Sequence, residues 1–305
     1  MSATRSQALV KLGSRLAGLA AVGHPVGAAG AADRLATALE QGVPAPQALA
    51  QASASAQVVE FVERAGAFDL EGLLDRVAPV LGRADARARE LRGLAGYVWL
   101  LVGCVLGIGA ILWGGVVPAM EAVVRAGKEL ASDVSLSYGP FAALYVFATL
   151  LLAGLALALS TRRAVFPFAS GRRAVQRAAI LGGAAAAARS GARLESAFLA
   201  GAALASDPAL RRDAEAIATG LACGKSAGQG LLLGPLGAGF FFAAAEHGAG
   251  VETLEALADF EENAAASAWT TEVVKAQLLA VALGGFALGS AGVFHYALYS
   301  GGLIR

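Results

Sequence analysis

The sequence has few charged residues. Asp, Glu, Lys and Arg make up 15% of its 305 residues, against about a quarter in a typical soluble domain. Three stretches carry no charge at all: Gly93–Met120, Val134–Thr161 and Ala276–Ile304. Each is long enough to cross a hydrocarbon layer of ~30 Å at a rise of ~1.5 Å per residue. The missing charge therefore predicts an all-α integral membrane protein with three spanning helices.

Cysteine and histidine are also scarce, with two and three copies in the chain. Cys104 lies in the first uncharged stretch and Cys223 in a more polar block, so we expect two reduced thiols and no disulfide. We predict no enzymatic activity and no cofactor. The net charge of +1 comes without a dense basic patch, which argues against a nucleic-acid partner.

The basic residues beside the uncharged stretches predict the orientation. Those before the first stretch and after the second are Arg83, Arg87, Arg89, Arg92, Arg162, Arg163, Arg172, Arg173 and Arg177. The loop between the two stretches has only Arg125 and Lys128, against three acidic residues. The positive-inside rule then places the N-terminus and the block 162–275 in the cytoplasm.

These features predict a domain organisation. An apolar run at Leu16–Val22 is too short for a secretory leader and is followed by Gly23-His24-Pro25, so we expect an amphipathic arm or a frayed helix there. The predicted order is a basic arm (1–30), a first cytoplasmic helical domain (31–92), a first span (93–120), an outer loop (121–137), a second span (138–161), a second cytoplasmic helical domain (162–275), and a third span with a short outer tail (276–305).

An internal repeat relates the two cytoplasmic blocks. Both are rich in helix-favouring residues and are punctuated by glycine. Leu39–Leu49 matches Ala188–Phe198, with Gly42 and Gly191 in register at an offset of 191 − 42 = 149. A later pair of matching turns is offset by 181, so the first domain is predicted to be a truncated copy that lacks about two helices. A chance match between alanine-rich helices remains the alternative.

Three segments of the second block carry a family resemblance: Gly191–Phe198, Gly224–Leu231 and Ala245–Gly250. In their order, spacing and position before a span, they resemble the type II secretion system F family. That family comprises the inner-membrane platform proteins of type II secretion systems and type IV pili. The chain departs from the usual pattern at Ala245, where a glycine is common, and at Pro44, so we expect a divergent member.

The resemblance implies a function and a set of partners. It implies a multi-pass protein of a bacterial inner membrane that couples a cytoplasmic hexameric ATPase to extraction and polymerisation of pilin or pseudopilin subunits. It also implies other inner-membrane assembly components and a homo-oligomer. The candidate structural turns or partner contacts are Gly191, Gly224, Ser226, Glu246, His247 and Gly250.

Two segments invite other interpretations. Gly220–Ser226 looks like a phosphate-binding P-loop, but the motif requires glycine at the position of Thr219, and a helix is expected before it where a strand is needed.

Glu246 and His247 could suggest a metal site or acid–base catalysis. A carboxylate close to a helix N-terminus is already stabilised by about 0.3–1 kcal/mol, which accounts for Glu246 without such chemistry.

Glycines within the spans predict helix packing. Gly103 and Gly107 form one small-x-x-x-small pair, and Gly285 and Gly289 form another. These faces suit packing within the subunit or between copies. The spans lack the charged groups that a channel or carrier usually places at membrane depth. A small membrane transporter, or a membrane scaffold of another complex, stays as the alternative function.

Overall fold

A computed structural model describes residues 34–119 apart from 36, 53 and 67–69, and residues 122, 139–160, 169–224 and 230–303. This part of the chain is almost entirely helical and contains no β-strand. Three of its helices are long and apolar enough to cross a membrane: Gly72–Ala119, Ala142–Ser160 and Gly250–Val293. The predicted helical class and the three candidate spans are thus confirmed.

Nine helices are numbered here in chain order within the described ranges. They are α1 (Ala45–Gln51), α2 (Ala56–Ala65), α3 (Leu70–Ile111), α4 (Gly139–Ser160), α5 (Ala169–Arg189), α6 (Leu194–Ala203), α7 (Pro208–Ala222), α8 (Gly234–Glu246) and α9 (Gly250–Leu303). A π-helical segment, Leu112–Val116, follows α3. The chain divides into two compact units: residues 1–87 with 167–270, called the body, and residues 88–166 with 271–305, called the span unit.

The body has one hydrophobic core, to which both predicted cytoplasmic domains contribute. Phe61 from the first block and Phe198 and Phe241 from the second are fully buried in the same cluster. The sequence divides these blocks into two domains, whereas their contacts group them into one unit. Helices as short as α1 and α2 have little apolar surface to bury against each other, so the first block completes its core on the second.

Helices α5 and α6 approach each other closely through glycine. A Cβ at Gly201 would overlap the carbonyl oxygen of Ile180 and would lie 3.2 Å from the Cβ of Ala184. On α5, a Cβ at Gly183 would lie 2.6 Å from a methyl carbon of Leu204. Because backbone atoms cannot move aside as a side chain can, Gly201 sets the distance between these two helices.

Three helix ends in the body share one hydrogen-bond pattern. Gly42, Gly191 and Gly248 have φ angles of 79°, 91° and 78°. In each, the glycine N–H donates to the carbonyl three residues earlier, and the N–H of the next residue donates to the carbonyl four residues before the glycine. This is the Schellman arrangement, which needs a left-handed residue and therefore favours glycine.

Charged side chains link the elements of the body. Arg177 Nη2 donates to Glu261 Oε1 at 2.6 Å and its Nε donates to the carbonyl oxygen of Leu232 at 3.2 Å. This joins α5 and α9 to the turn before α8. Burial raises the pKa of the Glu261 carboxyl above its ordinary value, and the charge of Arg177 acts in the opposite direction. A second pair, Arg87 Nη2 to Glu262 Oε1 at 2.6 Å, joins α3 and α9.

The span unit packs α3 against α4 through an aromatic contact. The Tyr145 hydroxyl donates to the carbonyl oxygen of Val105. Its ring lies where a Cβ at Gly109 would stand and is 4.8 Å, centroid to centroid, from the ring of Trp113. A buried tyrosine hydroxyl thus has a backbone partner, as a polar group in an apolar environment requires.

Candidate functional site

The body contains a cleft that brings together the three segments identified from the sequence. It has a volume of about 260 Å³ and is lined by Leu194, Glu195, Leu221, Gly224, Phe242, Ala245 and Glu246. These residues come from the start of α6, the end of α7 and the end of α8. Segments that are up to fifty residues apart in the chain therefore meet at one end of the helical body.

The first wall of the cleft is the N-terminal turn of α6. Gly191 closes α5, and α6 begins three residues later at Leu194. Arg193 occupies the N-cap position without a side-chain hydrogen bond to the helix. Glu195 lies in the first turn, where the helix dipole favours a carboxylate. Its contact with Arg193 is long, at 3.9 Å, and the arginine is largely exposed.

The second wall is the C-terminal end of α7. This helix starts with Asp207 as N-cap, whose side chain accepts from the N–H of Ala209, and Pro208 follows at the first helical position. It ends at Cys223 and at Gly224, which has φ 63°. The predicted helix before the P-loop-like segment is confirmed. Ser226 lies outside the described residues.

The third wall is the end of α8 and the turn to α9. Phe242, Ala245 and Glu246 face the cleft, and the exposed His247 is the C-cap residue of α8. The expected stabilisation of Glu246 by a helix N-terminus is wrong, because Glu246 is the last residue of α8 and α9 begins only at Gly250. Gly250 starts α9, where a Cβ would lie 2.8 Å from the Cδ1 of Leu194. The absence of a side chain at Gly250 lets the first turn of α9 approach the first turn of α6.

The lining of the cleft is largely apolar and includes two carboxylates. Among its lining residues, Glu195 and Glu246 carry carboxylates, and Leu194, Leu221 and Phe242 supply the apolar surface. In the described ranges no group of three or more His, Cys, Asp or Glu side chains could hold a metal ion. The cleft is suited to an apolar side chain accompanied by a basic group.

The predicted glycine faces of the spans do not pack inside the described chain. A Cβ at Gly103, Gly107, Gly285 or Gly289 would meet no atom within 4 Å. The buried face of the third span consists of other small residues: Ala276, Ala280, Ala287 and Ala291. The buried face of the first span is formed by β-branched residues, Val98, Val102 and Val105. The four glycines therefore stay candidates for contacts outside the subunit.

Sequence reasoning missed an apolar surface on α8. The fifteen-residue run from Leu231 to Ala245 contains no charged or hydrophilic side chain, yet Leu231, Leu236 and Phe240 are exposed in the body. The signal was present as a short uncharged run. Its length is below that of a span, so hydropathy alone does not single it out.

No protein-family model matches the chain, and no curated protein matches its sequence. Its function is therefore argued from the motifs and from the geometry of the body and the spans.

Proposed function

We propose that the protein is a non-enzymatic assembly platform of a type II secretion or type IV pilus-like machine, and a divergent relative of the type II secretion system F family. In this proposal it lies in a bacterial inner membrane with its body in the cytoplasm. The body binds a hexameric assembly ATPase, and the spans act on pilin or pseudopilin subunits during their extraction and polymerisation.

The observation that carries the proposal is the cleft at the end of the body. The three segments with the family resemblance contribute Glu195, Gly224 and Glu246 to it. Their convergence supports a contact site, and its two carboxylates favour a partner segment with a basic residue beside an apolar one.

The single core supports the proposed topology. Phe61 precedes the first two spans in the chain and Phe198 follows them, yet both lie in the same core. A shared core requires both blocks to be on one side of the membrane, which the two intervening spans allow. The flanking arginines favour the cytoplasmic side.

Two continuous helices support a coupling role. Helix α3 includes body residues and the first apolar stretch, and α9 includes body residues and the third. Within the body, Arg87 and Glu262 join the two helices at 2.6 Å. Within the body, the two helices that lead to the first and third spans are therefore linked to each other, which suits an assembly platform.

The helix ends support the proposed internal repeat. The turns at Gly42 and Gly191 have the same two hydrogen bonds, and the helices that follow begin at Ala45 and Leu194, which preserves the offset of 194 − 45 = 149. The later turns at Gly66 and Gly248 both have positive φ. Helix α7 has no counterpart between α1 and α2, in keeping with a shortened first copy. The described residues between α6 and α8 hold this one helix, where the prediction had about two.

Charge reversal in the cleft tests the ATPase contact. Glu195→Lys combined with Glu246→Lys places two positive charges where we expect a basic partner segment, so co-purification of the ATPase should fall at least tenfold. Glu252→Lys is the matched control, because Glu252 is an exposed carboxylate in the first turn of α9 that does not line the cleft. The measurement is the amount of ATPase recovered per protein from detergent extracts.

Equal recovery with the double variant and the control would refute the cleft as the ATPase site. A transporter would instead give solute uptake by the purified protein in liposomes. A scaffold of another complex would retain its partners while pilin assembly in cells proceeds without the protein. The transporter and the scaffold thus each predict a result that the assembly platform does not.

A further inference from the structure

The span unit contains a groove between α3 and α9. Its volume is about 490 Å³, which lies within the range of about 300–1,000 Å³ that is typical of sites for small molecules. All of its lining residues belong to the span unit, and on each helix they recur at the spacing of one helical face. They are Glu90, Gly93, Leu94 and Tyr97 on α3, and Val273, Gln277 and Val281 on α9.

The groove combines apolar surface with a few polar atoms. Leu94 and Val273 are buried and form its floor, whereas Tyr97 and Val281 are 46% and 58% exposed and form its walls. The polar atoms are those of the Glu90 carboxylate, the Gln277 amide and the Tyr97 hydroxyl. A ligand that fits this lining has both an apolar part and a polar part.

The groove lies where both helices change from charged to uncharged sequence. The first uncharged stretch begins at Gly93 and the third at Ala276. Glu90 comes three residues before the first stretch, about 5 Å along the helix axis, and Val281 lies inside the third. In a bilayer this is the depth at which headgroups give way to acyl chains, and tyrosines such as Tyr97 are frequent there.

The charge of the groove restricts the headgroup that it can hold. In the part of the chain that the structure describes, Glu90 is its one charged lining residue. Pockets that bind anionic headgroups are basic, so a carboxylate favours a cationic group instead. A primary ammonium has three N–H donors for a carboxylate. A quaternary ammonium has none and is held by several aromatic faces, whereas Tyr97 is the single aromatic residue of this lining.

We propose that this groove is a binding site for phosphatidylethanolamine, a phospholipid whose headgroup ends in a primary ammonium. The ammonium donates to the Glu90 carboxylate, and the phosphate accepts from the Tyr97 hydroxyl and the Gln277 amide. One acyl chain lies along Leu94 and Val273. Glu90 also has an interaction within the chain, but a carboxylate has acceptor sites for more than one donor.

This site is separate from the proposed ATPase contact. The groove lies in the span unit and the cleft lies in the body, and they share no lining residue. The inference therefore does not rest on the function proposed for the cleft. It requires only that the candidate spans lie in a bilayer.

Lipid titration of the full-length protein tests the headgroup preference. The protein is purified in detergent and titrated with ethanolamine, choline and glycerol phospholipids that have the same acyl chains, and bound lipid is counted by native mass spectrometry. We expect the ethanolamine lipid to bind about fivefold more tightly or better, because its hydrogen bond to Glu90 is charge-assisted. Equal affinities, or tighter binding of the anionic glycerol lipid, would overturn the proposal.

Two glycines of α3 give a matched pair of variants for the location of the site. A Cβ at Gly93 or at Gly96 would meet no atom within 4 Å, but Gly93 lines the groove and Gly96 does not. Gly93→Leu should fill the groove and abolish the preference for the ethanolamine lipid, whereas Gly96→Leu should retain it. A preference that survives Gly93→Leu, in protein that keeps its helical circular dichroism, would place the lipid elsewhere and refute the groove.

A charge-neutral variant tests the role of Glu90. Glu90→Gln keeps the shape of the side chain but removes its charge, so the affinity ratio between ethanolamine and choline lipids should fall to about one. Glu252→Gln is the control, because Glu252 is an exposed carboxylate of the body outside the groove. An unchanged ratio for Glu90→Gln would contradict recognition of the ammonium by this carboxylate.

A photo-reactive phenylalanine analogue distinguishes lipid from a membrane helix of another protein as the occupant. It is placed at position 281, in the groove, or at position 274, an exposed site of α9 outside it. After irradiation of native membranes, we expect phospholipid adducts at 281 that are enriched in ethanolamine headgroups relative to those at 274. Protein-sized adducts at 281, or the same lipid composition at both positions, would overturn the proposal.

Discussion

Single residues in the body differ in how much space surrounds them. Gly201 faces the backbone of α5 at a distance that leaves no room for a methyl group, whereas Gly82 in α3 has no atom within 4 Å of its Cβ position. Both are helical glycines, and both would gain about 1 kcal/mol of intrinsic helix propensity on replacement by alanine. The surroundings of each glycine should therefore decide whether replacement by alanine raises or lowers the stability of the body.

We predict that Gly201→Ala destabilises the body by about 1–3 kcal/mol, because the added methyl overlaps backbone atoms that cannot move aside. Gly82→Ala should leave stability unchanged or raise it by up to about 1 kcal/mol. The measurement is the thermal midpoint of the detergent-solubilised protein. A lower midpoint for both variants, by similar amounts, would contradict the steric argument.

The sequence could predict some of these residues and not others. Gly191 and Gly224 are identifiable because each ends a helical pattern, and both have the positive φ that the turn requires. Gly201 lies inside a helix, where nothing in the local pattern marks it. Its role comes from Ile180 on another helix, and single-chain periodicity carries no information on that contact.

At the scale of elements, α8 depends on the turn that precedes it. Gly230 has no side chain, and a Cβ there would lie 2.6 Å from Asp213 Oδ2. That close approach allows Asp213 to accept the hydrogen bond from the N–H of Leu232. The turn and the direction of α8 are thus set by a carboxylate on α7.

We predict that Asp213→Ala loosens this turn, because the N–H of Leu232 loses its acceptor at a cost of about 1–3 kcal/mol. Amide exchange at Leu232 should accelerate at least fivefold. Asp213→Asn retains an acceptor oxygen and should restore much of the protection. If Asp213→Ala and Asp213→Asn exchange at the same rate as the native protein, the carboxylate does not hold the turn.

The extents of the spans were more predictable than their packing. The absence of charge from residue 276 to residue 304 indicated a third span, and α9 continues to Leu303. The predicted packing faces at Gly103 and Gly285 are not used inside the described chain, where alanine and valine faces are buried. An apolar helix has several small-residue faces, and composition alone cannot select among them.

At the scale of the whole molecule, the shared core of the body is the main departure from the sequence-based interpretation. Phe61 is fully buried on α2, and its ring approaches the Cβ position of Gly183 on α5 to 3.3 Å. Periodicity shows that α2 has an apolar face but does not show what covers it. The sequence thus predicted the helical class and three candidate spans, but not that the two blocks share one core.

We predict that Phe61→Ala destabilises the body by about 3–5 kcal/mol. Because the core is continuous, hydrogen exchange should accelerate in α6 and α7 as well as in α2. Phe260→Ala, at an exposed position, is the control and should change exchange little. Faster exchange confined to residues 34–87 would instead indicate that the two blocks fold separately.

The discontinuous body has a consequence for biosynthesis. Leu35 and Leu254 lie in one core although most of the chain separates them, including two candidate spans. The ribosome must therefore release the first block long before the segment that covers it has been made. Until that segment is made, the apolar surface of the nascent first block has no partner within the chain, so this is the stage at which we expect the protein to aggregate most readily.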